Sequence, residues 1–179
     1  MSNIDDFKQN GLAGGGARAN LFQVTLTGGL AGSGKLFEFM CKGAQLPASV
    51  VAQIDVPYRG RQLKVAGDRT FENWTVTVFN DNEMKIRNDF ERWMNSMNAH
   101  AANIGDLDPE LYKQQLQVTQ FDRQNKPTKM YTLTGAFPVN VSAIDLSYDA
   151  NDAIEEFTVE FAYDYWTTGA NGKDTGITT

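Results

Sequence analysis

The segment 71-FENWTVTVFN-80 alternates apolar and polar side chains through its centre. In an extended chain, Trp74, Val76 and Val78 lie on one side and the intervening threonines lie on the other. A period of two is typical of a strand in an antiparallel sheet that has one face on a hydrophobic core. The segment therefore predicts such a strand and a fold built around it.

The same alternation recurs along most of the chain. The segment 157-FTVEFAYDYW-166 would place a row of apolar side chains on one face of a strand, namely Phe157, Val159, Phe161, Tyr163 and Tyr165. Further strands are predicted in the segments NLFQVTLTG, KLFEFMCKG, SVVAQIDV, RQLKVAG, LQVTQFD, KMYTLTGAF and VSAIDLSYD. Such a succession of short strands is typical of a β-sandwich or a β-barrel.

One segment has the period of a helix instead. Between Asn82 and Met97, apolar side chains recur at helical spacing and form one stripe, which consists of Ile86, Phe90, Trp93, Met94 and Met97. Asn80 and Glu83 have the spacing of a helix cap and its capping-box partner. We predict a helix whose apolar stripe packs on the sheet.

The bulk composition suits a single domain. The chain has 179 residues, and 41% of them are hydrophobic. We predict a mainly β, antiparallel sandwich or barrel with one flanking α-helix over residues 19–166. The arm 1–18 and the tail 167–179 lack periodicity, and we expect both to be flexible when the chain is alone.

Charge and hydropathy argue against two classes of function. The net charge is −6 at pH 7, and an acidic protein repels a phosphate backbone on average, which disfavours tight nucleic-acid binding. No apolar run is long enough to cross a bilayer, and the N-terminus carries acids where a signal peptide needs positive charge. We therefore expect no membrane anchor and folding in a cytoplasm.

The segment 28-GGLAGSGKLFEF-39 has the spacing of a phosphate-binding loop at Gly29, Gly34 and Lys35. Leu36, however, stands where a hydroxyl should hold magnesium. The residues that follow alternate as a strand, whereas a phosphate loop leads into a helix. That strand would have on one face Phe37, Phe39 and Cys41. We predict a flexible hairpin loop rather than a nucleotide site.

Other candidate sites are also incomplete. The chain has a single cysteine, Cys41, and a single histidine, His100, which leaves little material for a zinc site. Asp149, Asn151 and Asp152 suggest a calcium loop. However, Ala153 occupies a ligand position, and Ile154 occupies the position of the sharp-turn glycine. We predict that the protein is not an enzyme and has no cofactor and no metal.

Several long strings carry a resemblance to a known family. They are ARANLFQVTL, FMCKGAQLPAS, IDVPYRGRQLKVAGDRTFENWTVTVFND and FTVEFAYDYW. In this order they resemble the tail tube proteins of contractile-tailed, T-even-type bacteriophages, over residues 19–166. The chain departs from that pattern in the loop from Gly28 to Gly34 and in the tail after Trp166, whose roles stay open.

The resemblance implies a β-sandwich or barrel with a flanking helix, which assembles into hexameric rings. The rings would stack into a hollow tube inside a contractile sheath, and genomic DNA would pass through without being bound tightly. Partners would be copies of the chain, the sheath, the baseplate and a tape-measure protein. The protein would be a tail component of the virion, assembled in the host cytoplasm.

Three alternatives remain at this stage. The chain could form the inner tube of a phage-derived contractile device that delivers a bacteriocin or toxin. It could be a monomeric, ligand-binding β-barrel with an apolar cavity. It could be an enzyme that uses the phosphate-loop spacing. Nucleotide binding that is lost when Lys35 is replaced would support this alternative.

Two groups of residues are candidates for sites in an assembled tube. Glu156, Glu160 and Asp164 would form an acidic stripe opposite the apolar face of the last strand, and we expect this stripe to line the lumen. On an outer or intersubunit face they would instead pair with basic residues, such as Arg59, Arg61 or Lys64.

The second group lies in the string VAGDRTF, which resembles a turn. Gly67 would adopt an unusual backbone angle, and Asp68 or Arg69 would make a fixed polar contact, either within a subunit or across the ring.

Overall fold

The computed structural model describes residues 4, 16–28, 32–102, 104–105, 108–149, 151–170 and 173–174. Strands and helices follow one another in the order β1 (Phe22–Thr27), α1 (Gly34–Met40), β2 (Cys41–Ala44), β3 (Val50–Tyr58), β4 (Arg61–Thr70), β5 (Trp74–Phe79), α2 (Lys85–Met97), α3 (Pro109–Tyr112), β6 (Gln114–Phe121), β7 (Pro127–Val141), β8 (Glu156–Ala162), β9 (Tyr165–Ala170) and β10 (Lys173–Asp174). The predicted mainly β, antiparallel fold is confirmed.

Most strands belong to an eight-stranded sheet in the order β1-β6-β7-β8-β5-β2, with β9 paired to β7 and to β10. The long strand β7 joins two layers. Its first part pairs with β6 and β9, and its last part pairs with β8. We call β1, β6, β9 and the first part of β7 the front layer, and β2, β5, β8 and the last part of β7 the back layer.

Gly135 lies where β7 leaves the front layer, and its φ of 70° is a left-handed conformation that favours glycine. A Cβ atom at this position would also collide with the carboxylate of Asp164. A glycine is therefore required where the shared strand bends between the layers.

The inward side chains of both layers form one hydrophobic core, together with side chains from the helices. Phe161 of β8 is fully buried, and its ring centroid lies 5.8 Å from those of Trp74 and Phe90 and 6.3 Å from that of Trp93. The alternation predicted for 71–80 is confirmed, because β5 buries every second residue from Trp74 to Val78.

The predicted strand over KLFEFMCKG is wrong in its first part. Residues 34–40 form helix α1, and the strand begins only at Cys41. Phe37 is buried, whereas Phe39 is 81% exposed, so these side chains do not share a face. The run contains Lys, Leu, Glu and Met, which are strong helix formers, and a short alternating run fits one helical turn as well as a strand.

Helix α2 carries the predicted stripe on its buried side, with Ile86, Phe90 and Trp93 in the core. The predicted cap is wrong, since the helix begins at Lys85 and Met84 precedes it with a φ of 53°. Asn80 is instead buried beneath the loop before β8.

Asn80 donates two hydrogen bonds to Glu155. The backbone N–H of Asn80 donates to the Glu155 carbonyl at 2.9 Å, and its Nδ2 donates to the Glu155 carboxylate at 2.9 Å. The asparagine therefore fixes the loop before β8 rather than the helix end.

Two further strand predictions differ from the structure. Residues 142–149 form irregular loop rather than a strand. The last predicted strand is two strands: β8 ends at Ala162, and β9 begins at Tyr165, whose side chain is exposed while that of Tyr163 is buried. β9 continues past Trp166 and pairs with β7, so residues 167–170 belong to the sheet and not to the tail.

Most of the predicted arm 1–18 lies outside the described residues. Among the described residues, no helix has the length and apolar character needed to cross a membrane.

Candidate assembly surfaces

Strands β3 and β4 form a two-stranded sheet of their own, outside the eight-stranded sheet. They are joined at Arg59 and Gly60, whose φ values of 46° and 79° are those of the type I′ turns that fit the twist of a hairpin. Every residue of β3 is exposed, and so is every residue of β4 except Gly67. We call residues 50–70 the projecting hairpin.

The projecting hairpin is amphipathic. Cross-strand partners share a face, and the register pairs Ile54 with Val65, Val56 with Leu63, and Tyr58 with Arg61. The alternate positions form a polar face, on which Asp55 pairs with Lys64, and Pro57 with Gln62. The exposed fractions on the apolar face include 43% for Val56, 63% for Leu63 and 66% for Tyr58.

An isolated two-stranded hairpin is only marginally stable in water, and large exposed apolar patches mark interaction sites. The apolar face of the projecting hairpin is uncovered, although it has the alternation of a core strand. No described part of this chain buries it, so this face is a candidate for contact with another chain.

The string VAGDRTF continues β4 and does not form the predicted turn. The partner of Val51 is Arg69 and that of Gln53 is Ala66, so β4 has one extra residue here, which makes a β-bulge. Gly67 does not have a positive φ. It permits close approach instead, since a Cβ atom would lie 3.2 Å from the carbonyl oxygen of Ala52.

Asp68 and Arg69, beside the bulge, are exposed. Within the described part of the chain, neither side chain has an ion-pair or hydrogen-bond partner. The fixed contact predicted for them is thus not made inside the described subunit.

The predicted acidic stripe is only partly continuous. Glu156 and Glu160 lie on the outer face of β8, whereas Asp164 follows the end of that strand. Asp164 accepts hydrogen bonds from Lys113 Nζ at 2.7 and 2.9 Å. Glu160 accepts one at 2.8 Å from Asn73, and Glu156 forms an ion pair with Lys42. The basic residues expected as partners, Arg59, Arg61 and Lys64, lie on the projecting hairpin.

A second apolar surface surrounds the loop residues 142–149 and 151–155. An open groove of about 1010 Å³ lies there, and Phe79, Ile144 and Ile154 are among its lining residues. Leu146 and Tyr148, from the same loop, are highly exposed. This surface is a second candidate for contact with another chain.

The phosphate-loop spacing receives no support, although one argument against it was wrong. A helix does follow the loop, but Leu36 still stands where the hydroxyl should be, and it packs partly against the core. Gly29 lies outside the described residues.

Cys41 lacks the character of a reactive thiol. Burial raises the pKa of the Cys41 thiol to about 12, against a smaller opposing effect of the hydrogen bond to the Gly43 carbonyl. His100 is exposed in a loop. In the described residues, no group of His, Cys, Asp and Glu side chains could hold a metal ion.

A packed β core with a separate, uncovered amphipathic hairpin is typical of a structural subunit that assembles with other chains. The sequence profile of the family described as "Phage tail tube protein" matches residues 16–169. The chain is 38% identical over 164 residues to the tail tube protein gp19 of Enterobacteria phage T4. The match covers 91% of this chain and 98% of the relative. The chain belongs to the phage tail tube family.

Another relative is the tail tube protein of Serratia phage KSP90, 29% identical over 91% of this chain and 95% of the relative. The resemblance inferred from the sequence is confirmed, and the protein is a structural subunit of a contractile phage tail and a component of the virion. Because its family is structural, the expected lack of enzymatic function is also confirmed.

Solved structures show the same fold at low identity. A chain of the anti-feeding prophage baseplate, a 6-fold symmetrised structure, has a TM-score of 0.63 at 12% identity and covers 88% of this chain and 98% of its own. A chain of an extracellular contractile injection system, from a sheath–tube complex in the extended state, has a TM-score of 0.59 at 11% identity. The match covers 95% of this chain and 99% of the other.

Proposed function

We propose that the chain forms hexameric rings with copies of itself, and that these rings stack into a hollow inner tube through which DNA passes into the host. The sheath surrounds this tube, the baseplate starts it, and a tape-measure protein sets its length. The protein is assembled in the host cytoplasm.

The observation that carries this proposal is the uncovered apolar face of the projecting hairpin. The hairpin pairs only with itself in the described subunit, yet it presents Val56 and Leu63 on one side and Asp55 and Lys64 on the other. A neighbouring subunit can bury the first side while solvent covers the second. Head-to-tail contacts that close by rotation give a ring, and repeated stacking gives a tube.

Charge is consistent with a conduit for DNA. A net charge of −6 disfavours retention of the cargo, because each phosphate contact made by Lys or Arg adds affinity and slows passage. Glu156, Glu160 and Asp164 remain a candidate lumen surface, and Asp68 and Arg69 remain candidates for contact across the ring.

A viral tail is favoured over a phage-derived delivery device. The relative at 38% identity is a phage protein, whereas the injection-system structures share only the fold at 11–15% identity. Family membership and the uncovered hairpin also favour a polymer over a monomeric ligand-binding barrel.

Electron microscopy tests the proposal directly. The purified protein is examined by negative stain over a concentration series, together with its native mass. We expect rings or hollow tubes for the natural sequence. A protein that stays monomeric at every concentration, and also when mixed with purified baseplates, would contradict the proposal.

A matched pair of hairpin variants shows whether the apolar face is responsible. Leu63→Asp places a charge on that face, and Gln62→Asp places the same charge on the polar face one residue away. We expect Leu63→Asp to prevent assembly with the thermal unfolding of the monomer unchanged, and Gln62→Asp to assemble. Equal assembly of the two variants would exclude the hairpin as the contact.

A further inference from the structure

The outer face of the front layer carries no side chain that is charged at neutral pH, among the positions that the structure describes. The strand register places on this face Gln23, Thr25, Thr27, Gln115, Gln117, Thr119, Met130, Thr132, Thr134, Tyr165, Thr167 and Gly169. We call this surface the neutral face. It crosses β1, β6, β7 and β9 without interruption, and most of its side chains are hydroxyls or amides.

The neutral face contrasts with the rest of the molecule. The chain has 22 acidic and 16 basic residues, and the outer face of the back layer has Lys42, Glu156 and Glu160. Charged residues lie at the margins of the neutral face, where the register pairs Asp174 of β10 with Gly169 of β9. Glu38 of α1 accepts a hydrogen bond from Gln23 at the edge strand, and Lys113 and Asp164 form their ion pair near the bend of β7.

The composition of the neutral face does not suit a protein–protein contact. Interface cores are enriched in aromatic residues, Met and Arg, and threonine is under-represented among residues that dominate binding energy. A broad face of threonine and glutamine is better suited to water. In the proposed tube, such a face belongs toward a water-filled space.

A passage for DNA sets a specific requirement on that space. Lys and Arg would hold the phosphates, because each contact releases counterions and adds affinity. Carboxylates without partners, repeated around a closed ring, would repel the phosphates and also one another. Hydroxyl and amide side chains keep a water layer and do neither.

We propose that the neutral face lines the lumen of the tube, in place of the stripe of Glu156, Glu160 and Asp164. This inference rests on the proposed assembly into a hollow tube. The three carboxylates already have partners within the subunit, in Lys42, Asn73 and Lys113. The neutral face needs no such compensation.

Cysteine accessibility in assembled tubes tests the inference. In a Cys41→Ala background, Gln117→Cys places a thiol at the centre of the neutral face. Thr77→Cys is the matched control, since Thr77 lies at the centre of the outer face of the back layer, opposite Thr158. Thr25→Cys, beside Gln117 in the register, serves if the first variant does not assemble. Each tube is treated with a small maleimide, and with a maleimide attached to a protein too large to enter it.

A thiol in the lumen reacts with the small reagent only, one on the outside reacts with both, and one between subunits reacts with neither. We expect the first pattern for Gln117→Cys and another pattern for Thr77→Cys. Any other pattern at Gln117 overturns the inference, and the lumen pattern at Thr77 would assign the lumen to the back layer with the acidic stripe. If the natural sequence forms no hollow tubes, either alone or with purified baseplates, the proposed function itself fails, and the inference fails with it.

Discussion

Strands β4 and β5 follow one another in the chain and have similar apolar alternation, yet they have opposite environments. In β5, Trp74, Val76 and Val78 are buried in the core of the subunit. In β4, Leu63 and Val65 are exposed on the projecting hairpin. The difference shows that alternation predicts a buried face without specifying whether the same chain or another chain buries it.

The largest expected effect on the stability of the monomer is in the core. Phe161→Ala removes a fully buried ring packed between Trp74, Phe90 and Trp93, and we expect it to lower the free energy of unfolding by about 3–5 kcal/mol. Leu63→Ala on the projecting hairpin is the control, and its effect should stay within about 0.5 kcal/mol. Chemical denaturation of the dilute, monomeric protein measures both, and equal losses would remove the distinction between the two regions.

A change at the bulge should affect assembly more than stability. Gly67→Val brings a Cβ atom within 3.2 Å of the Ala52 carbonyl oxygen and of Ile54 Cγ1, so the neighbouring strand must move by a few tenths of an ångström. Because the hairpin lies outside the eight-stranded sheet, we expect the melting temperature of the monomer to be unchanged. We expect the formation of tubes to be lost. Gly43→Val, in the edge strand β2, where nothing lies within 4 Å of the added atom, is the control that should still assemble.

A smaller effect is expected at Arg69, which has no partner in the described part of its own subunit. Arg69→Ala should leave the melting temperature of the monomer unchanged and raise the concentration needed for assembly about tenfold, which corresponds to about 1.4 kcal/mol. Light scattering over a concentration series measures this, and Arg123→Ala, exposed in the turn before β7, is the control. A lower melting temperature would instead place the contact of Arg69 within the subunit. If neither the melting temperature nor the concentration needed for assembly changes, the contact is unimportant.

The smallest effect concerns the partly buried thiol of Cys41, at the start of β2. The pKa of Cys41 is raised from 9.0 to about 12, so folding favours the protonated form. Its contribution to stability is fully present below pH 9 and is lost as the pH rises toward 12. We expect Cys41 to react with a thiol reagent at pH 8 far more slowly in the folded protein than in denaturant. Equal rates would mean that the thiol is accessible.

Much of the fold could be predicted from the sequence, because β1, β5 and β8 each bury alternate residues and the helix α2 buries one stripe. Local sequence patterns gave wrong predictions where the same residues are compatible with two kinds of secondary structure. The run before Cys41 fits either a strand or a short helix. In the structure it is a helix, which buries Phe37 in the core. The break between β8 and β9 follows from long-range pairing with β7, which no local pattern contains.

The candidate surfaces were harder to predict. The sequence pointed to Gly67, Asp68 and Arg69, but it gave a turn where the chain has a bulge, since the extra residue is apparent only from the register with β3. The neutral face was also missed. Its members come from four separated segments, and none of these segments is unusual when it is considered alone.

The separation of the projecting hairpin from the eight-stranded sheet has a kinetic consequence. A hairpin that is hydrogen-bonded to no other strand of its described subunit loses conformational freedom when a partner first binds it, and that loss costs conformational entropy. Two free subunits both bear this cost, whereas a completed ring presents a surface that is already ordered. In the proposed tube, we therefore expect growth at an existing end to be faster than the start of a new tube, and the number of tubes to follow the number of templates rather than the amount of subunit.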